Sequence, residues 1–245
     1  MTLSMNWVCA VCIAAVCGLS ASAQRPAFEV ASIKPGNPDS RLVRSVITPG
    51  GNLRAENVTL RTLIQDAYKI LPFQLTGGPG WIDNEKFAVL AKGDPAATAD
   101  QVRLMLQALL EDRFRLVLRH ETKEQTISRL MVKGEPKLSR PAENARTMFG
   151  TTAQRDGVNH VSFKATTMAG LAEMLSRQLG RMVEDRTGLD GAFDFEFDAT
   201  HDESDPNPFV AAWAPALGQI GLKLETTRGP VDFFVIEQAE RPSGN

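Results

Sequence analysis

Cysteine is nearly missing from this chain of 245 residues: the three present, Cys9, Cys12 and Cys17, all fall close to the start. Tyrosine occurs once, as Tyr68, and histidine three times, as His120, His160 and His201. Chemistry based on thiols, imidazoles or phenols therefore has few candidates. An excess of charge of one sign is missing too: Lys and Arg total 27 against 29 for Asp and Glu, a net charge of −2. A nucleic-acid binder needs a concentrated basic surface, and this composition gives no sign of one. Also missing are H-E-x-x-H, G-x-S-x-G, Walker-type and Rossmann-type patterns, so no motif points to a cofactor. What is present is 43% hydrophobic and 23% charged residues, which fits a foldable soluble protein and excludes disordered, collagen-like and multi-pass membrane classes.

The longest apolar run, Trp7 to Leu19, is shorter than the roughly 20 residues needed to span a bilayer. Ala21-Ser22-Ala23 follows as a small-x-small pattern, so residues 1–23 read as a secretory signal peptide cleaved before Gln24. Residues 1–6 carry no Lys or Arg, which is atypical; an uncleaved anchor is the alternative. Lipoprotein processing at Cys17 is disfavoured by Val16, where a small residue is required. The expectation is an exported protein, periplasmic or extracellular, with no membrane span after cleavage. Cys9-x-x-Cys12 then belongs to the signal and not to a redox site. Past Ala23 there is no cysteine, so disulfides and thiol ligation are excluded and stability must come from the core.

The chain also resembles itself. Shifting it by 108 residues lays Leu53 on Val161, Thr59 on Thr167, Leu63 on Leu171, Phe87 on Phe195, Val102 on Val210 and Leu116 on Leu224 without a gap. This predicts an internal duplication. After a lead-in strand near Phe28–Ile33, each half is expected to run β-α-β-β-α-β-β, giving an α+β architecture of mostly antiparallel sheet with helices packed on it. The first strands are Leu53–Glu56 and Val161–Lys164. The helices that follow carry Leu60, Leu63, Ile64 and Ala67, and Met168, Leu171, Ala172 and Leu175, at i, i+3, i+4, i+7. Thr59 and Thr167 stand at the two N-caps.

Strands over Phe73–Thr76 and Lys86–Ala91 correspond to Met182–Arg186 and Ala192–Asp198. A second helix opens with a Thr98–Gln101 capping box and an apolar stripe of Val102, Met105, Leu106 and Leu109. Its counterpart around Phe209–Ile220 is broken by Pro215 and should be short or kinked. Each half is expected to close on a local strand pair, Phe114–Glu121 with Thr126–Val132 and Leu222–Thr226 with Val231–Gln238. The expected division is 24–132 as the first unit, 133–158 as a polar connector and 159–245 as the second unit, with 199–208 an exposed loop.

Several phrases carry a family resemblance: Phe28-Glu29-Val30-Ala31-Ser32-Ile33-Lys34-Pro35, Asn57-Val58-Thr59-Leu60, Gly78-Pro79-Gly80-Trp81-Ile82, Asp112-Arg113-Phe114-Arg115-Leu116, Asp185-Arg186-Thr187-Gly188-Leu189, Gly221-Leu222-Lys223-Leu224 and Glu240-Arg241-Pro242-Ser243. Together they resemble a family of exported bacterial proteins of unknown function expanded in soil acidobacteria, a Solibacter-type domain. The resemblance spans the chain after the signal. It implies no activity, cofactor or catalytic residue. Some relatives look to be joined to membrane metallopeptidases of the antibiotic-sensor type, which implies sensing or binding. The repeated units also look like the short periplasmic domains of secretins and TonB-dependent receptors, which bind other proteins. Pro215 departs from the family's last helix.

Candidate site residues are few. Tyr68, Gly77, Gly78 and Trp81 could line a small ligand groove, although a tight turn and core packing explain them as well. In Ala192–Asp198, Phe193, Phe195 and Phe197 alternate with Asp194, Glu196 and Asp198. Period 2 puts the rings on the core face and the carboxylates on the other. Those three, with Asp202 and Asp205, are weak metal candidates; the plainer reading is a solvated face balanced by Arg115, Arg119 or Lys223 on a neighbouring strand. The three histidines are scattered, and His120 is expected partly buried on a face shared with Phe114, Leu116 and Leu118. No catalytic residue is assigned. The leading expectation is a non-catalytic module binding an envelope protein or a small extracytoplasmic ligand, without nucleic acid or cofactor. The alternative is a secreted hydrolase using carboxylates on glycans or cell-wall material.

Overall fold

A computed structural model describes residues 25–242, apart from 38, 41, 49, 154–157 and 201–207. The expected signal peptide, all three cysteines, His201, Asp202 and Asp205 lie outside the described residues. The fold is α+β with mostly antiparallel sheet. Its strands are β1 (Val30–Pro35), β2 (Arg44–Thr48), β3 (Asn52–Thr59), β4 (Leu75–Gly77), β5 (Lys86–Lys92), β6 (Val117–Val132), β7 (Met148–Ala153), β8 (Val158–Thr167), β9 (Val183–Asp185), β10 (Ala192–Thr200) and β11 (Leu222–Gln238). The helices are α1 (Leu60–Tyr68), α2 (Trp81–Asn84), α3 (Ala99–Phe114), α4 (Met168–Leu179) and α5 (Pro208–Ala216). No helix among the described residues is long and apolar enough to cross a membrane.

Three sheets result. One has the order β1-β5-β3-β2, a second β10-β8-β7, and a third β4-β11-β6-β9. The first two are antiparallel throughout. Each turns its apolar face toward a helix. In one core Leu53, Ala55 and Val58 of β3 and Phe87, Val89 and Ala91 of β5 meet Leu60, Leu63, Ile64 and Ala67 of α1 and Val102, Leu106 and Phe114 of α3. In the other, Val161 and Phe163 of β8 and Phe193, Phe195 and Phe197 of β10 meet Met168, Leu171 and Leu175 of α4 and Trp213 of α5.

The entry into the first helix is built alike in both halves. Thr59 and Thr167 sit in extended backbone, and their hydroxyls accept the N–H of Thr62 at 3.2 Å and of Gly170 at 3.0 Å. This satisfies one of the donors that a helix start leaves open. Two residues earlier the backbone is left-handed in both, at Asn57 (φ 52°) and Ala165 (φ 45°). The strand ladder shifts register beside each. Asn57 is suited to this: its side chain accepts the Asn37 N–H at 2.7 Å and donates to the Ser40 carbonyl at 3.0 Å. Ala165 has no such side chain, and its N–H is held by the Asp194 carboxylate at 2.8 Å.

The third sheet corrects the expected strand pairs. Val117–Val132 and Leu222–Gln238 are single long strands, paired with each other from Leu222↔Val132 to Gln238↔Val117 and not folded back on themselves. Residues 121–126 (ETKEQT) contain no turn-forming residue, so nothing bends β6. Gly229-Pro230 in β11 invites a turn, but the strand runs straight through. A Cβ on Gly229 would come within 2.6 Å of Ile127 Cδ1, so this glycine serves close approach. Phe114, expected to begin a strand, ends α3 instead and is fully buried. The segment expected as a connector, 133–158, contains β7, which pairs with β8. Leaving aside β1 and the single-turn α2, each half therefore runs β-β-α-β-β-α-β.

The short strands cross over. β4, from the first half, pairs in parallel with β11 (Phe234↔Leu75), and β9, from the second, with β6 (Ser128↔Val183). Ile236 accordingly completes the first core, and Leu130 the second.

Candidate functional site

The expected ligand residues fall into separate settings. Gly77 (φ 76°) and Gly78 (φ 85°) form a turn against β11, where a Cβ on Gly78 would lie 2.6 Å from Ile82 Cδ1. Arg61 clamps this turn by donating to the carbonyls of Leu75 and Gly77 at 3.1 and 3.2 Å while pairing with Asp83, whose carboxyl it holds below the usual range. Trp81 packs edge-on to Phe87 at 6.3 Å between centroids, beneath the Arg241 guanidinium at 5.3 Å. Tyr68 lies instead against Phe234 at 5.7 Å, and burial pushes its hydroxyl pKa up, with Glu111 adding to the effect. Among the described residues no ring contact joins Tyr68 to Trp81. Both rings are used in packing.

His120 is also placed differently from the expectation. It is more than half exposed, lies tilted against Phe234 at 5.0 Å and reaches Asp232 at 3.1 Å. With Phe114 in α3 and Leu116 before β6, Leu118 alone of the three expected neighbours shares a strand face with His120, and burial does not follow.

Strand β10 carries the most developed surface feature. Its alternation holds: Phe193, Phe195 and Phe197 are buried, while Asp194, Glu196 and Asp198 face outward. The counter-charges come from β8 and not from Arg115, Arg119 or Lys223. Lys164 Nζ lies 3.3 Å from Asp194, and His160 lies 2.9 Å from Asp198 and 3.5 Å from Glu196. On β8, His160 stands directly opposite Asp198, and Lys164 lies at the register shift that also takes in Asp194. The hydrogen bond that the His160 ring donates to Asp198, helped by the charges of Glu196 and Asp198, raises the His160 pKa. No group of three or more His, Asp or Glu residues placed to hold a metal occurs among the described residues.

A groove of about 510 Å³ opens beside this strand, lined by Pro136, Lys137, Leu138, Ser139, Asp194, Glu196, Gln219 and Ile220 among others. At one end the Ser139 N–H donates to the Asp194 carbonyl at 3.0 Å and the Asp194 N–H to the Ser139 carbonyl at 2.8 Å. At the other end the Gln219 carboxamide imitates a peptide, accepting the Asp198 N–H at 3.1 Å and donating to the Asp198 carbonyl at 2.7 Å. The groove thus runs along the outer edge of β10 between two capped points. Sequence reasoning missed it, because Ser139 and Gln219 come from segments with no chemical motif.

A family described as "Protein of unknown function (DUF3738)" matches residues 61–239. The chain belongs to the DUF3738 family. The DUF3738 match runs from α1 through β11, so it takes in both cores, the crossed strands and the groove. Strands β1 to β3 precede it. No match was found among curated proteins or among solved structures.

Proposed function

We propose that this DUF3738 protein is an exported, non-catalytic binding module whose contact with its ligand is the groove along β10. The observation that carries this reading is the groove's construction. It is walled by the edge of a strand, and its carboxylates are already engaged, Asp194 by Lys164 and the Ala165 N–H, Glu196 by His160. Such a wall recognises shape and main chain better than it delivers protons.

The same reading takes the two halves as copies of one unit. Support comes from the matched caps at Thr59 and Thr167, the left-handed residues at Asn57 and Ala165, and β4 and β9, which start 108 residues apart. The copies have not kept one spacing throughout. Val58↔Phe87 matches Thr166↔Phe193, so the equivalents of Phe87 and Val89 are Phe193 and Phe195, two residues short of the ungapped alignment. A duplicated module of this kind suits recognition of an envelope protein, in the manner of short periplasmic domains.

The test is cross-linking of the full-length protein to its captured partner in an envelope extract. A stoichiometric partner linked at 136–139 or 194–198 is the expected result. Release of product from a glycan panel, lost on substitution of a single Asp or Glu, would replace this reading with the hydrolase.

A further inference from the structure

The two outer sheets differ by one strand. In the first, β1 lies on the outer edge of β5: Ser32 faces Leu90 and Lys34 faces Ala88, while the carbonyls of Lys86 and Lys92 accept N–H groups from Gly36 and Glu29 at 2.7 and 2.9 Å. The even-numbered residues of β5 therefore turn their main-chain groups toward β1. In the second sheet β10 holds the place of β5, but it is an edge. With Phe193, Phe195 and Phe197 standing for Phe87, Val89 and Ala91, the partners of the missing strand are Asp194, Glu196 and Asp198. Two of these already have substitutes on that edge: Ser139 bridges Asp194, and the Gln219 carboxamide bonds both main-chain groups of Asp198. Glu196 lies midway. By the alternation of an antiparallel ladder its N–H and C=O point the same way, into the groove, and they have no partner among the described residues. An open stretch of strand edge is a template for pairing with another chain.

We propose that this gap is an acceptor for a short extended peptide of a partner protein, added antiparallel to β10 where β1 is added to β5. The inference rests on the binding reading and gives it a place and a chemistry. From Asp194 to Asp198 is about 13 Å at the rise of a strand, so about three ligand residues fit between the two caps. The central ligand residue exchanges both main-chain bonds with Glu196. Its side chain stands among Asp194, Glu196 and Asp198, whose counter-charges on β8 are Lys164 and His160 alone, so a basic side chain suits it. Its two neighbours point to the opposite face, toward the side of Phe195, and are apolar. Lys137, also in the lining, disfavours a second basic residue.

The probe is the capped pentapeptide acetyl-Ala-Ile-Lys-Val-Ala-amide, titrated into isotope-labelled full-length protein and followed through amide resonances. The expected result is saturable shifts centred on Glu196. Glu196→Pro removes the outward N–H, which the β8 ladder does not use, together with the carboxylate, so it is read against Glu196→Gln: it should bind at least about fivefold more weakly than Glu196→Gln, the equivalent of one lost hydrogen bond of about 1 kcal/mol. Should Glu196→Pro fail to fold, the same loss is expected with unaltered protein and a probe methylated on the main-chain nitrogen of the central Lys. Equal binding of the methylated probe, or shifts that avoid β10, would overturn the proposal. Equal binding with Glu in place of the central Lys would overturn the charge assignment. A dimer formed by exchange of β1 would overturn the partner as occupant in favour of a second copy. A natural partner held equally by wild type and Glu196→Pro would overturn the slot but leave the binding reading standing; if neither retains a partner, that reading fails with it.

Discussion

Around α1 the core is filled mainly by aliphatic side chains, Leu53, Leu60, Leu63, Ile64, Leu106 and Leu110, with two edge-to-face ring pairs, Phe87 on Phe114 at 5.3 Å and Trp81 on Phe87 at 6.3 Å. Around α4 it is filled by rings: Phe163 stacks on Phe195 at 4.6 Å, meets Trp213 edge-on at 5.7 Å and contacts Phe149 at 5.2 Å. The helices differ to match. α3 has 16 residues and a complete capping box, with Thr98 and Gln101 bonded reciprocally. α5 has 9, contains Pro215 and passes into a 3-10 turn at Leu217–Ile220. A shorter helix covers less sheet, and large flat rings make up the volume. The two halves show that one order of elements tolerates very different side chains, provided that volume and caps are kept.

Four experiments would sharpen or break this comparison. The largest effect is expected in the cores. Phe163→Ala and Phe114→Ala each remove a fully buried ring and should cost about 3–5 kcal/mol. Because β4 and β9 cross between halves, both variants should lower a single calorimetric transition. Two separate transitions, each moved by one variant only, would show that the cores are independent. Next come the left-handed residues, where the halves should respond with opposite sign. Asn57→Gly loses two side-chain hydrogen bonds in a buried position and should cost about 1–3 kcal/mol, whereas Ala165→Gly relieves a strained alanine and should gain about 1 kcal/mol in chemical denaturation. Like signs at the two positions would refute this account of the bulges.

The caps come third. Thr59→Ala and Thr167→Ala should each cost about 1 kcal/mol, and unequal losses would mean that the matched geometry hides different energetics. The smallest effect is electrostatic and confined to the second half. The pKa of His160 is raised by Asp198, so its pairing adds stability fully below the unfolded value near 6.5 and loses it as pH rises through the folded value. Asp198→Asn should bring the His160 titration, followed by its ring resonances, back down toward that value.

Much of the fold was legible where local rules agree with the final packing. The α1 and α4 stripes, the Thr caps, the Thr98–Gln101 box and the inward phenylalanines of β10 could all be read from spacing. What escaped depends on contacts between distant segments. β6 and β11 pair across the whole second half of the chain, so their period alone could not separate two long strands from two short hairpins. Arg44–Thr48 and Met148–Ala153 are edge strands with mixed patterns and gave no alternation to follow. The groove was hidden for the same reason. Ser139 and Gln219 matter through where their amides and carbonyls come to lie, and no residue type announces a vacancy on a strand edge.

The crossing of β4 and β9 also sets an order of assembly. Leu75 has its ladder partner at Phe234, and the core around α1 is closed by Ile236. A ribosome delivers those residues long after Leu75. The half made first must therefore wait, with β4 unpaired and one side of its interior open, until β11 has emerged. Loop closure over such a span is slow compared with local folding, and the waiting intermediate exposes strand edges to chaperones and to misassociation. Removing the last few residues of β11 should then unravel the opposite end of the molecule from the one that was cut.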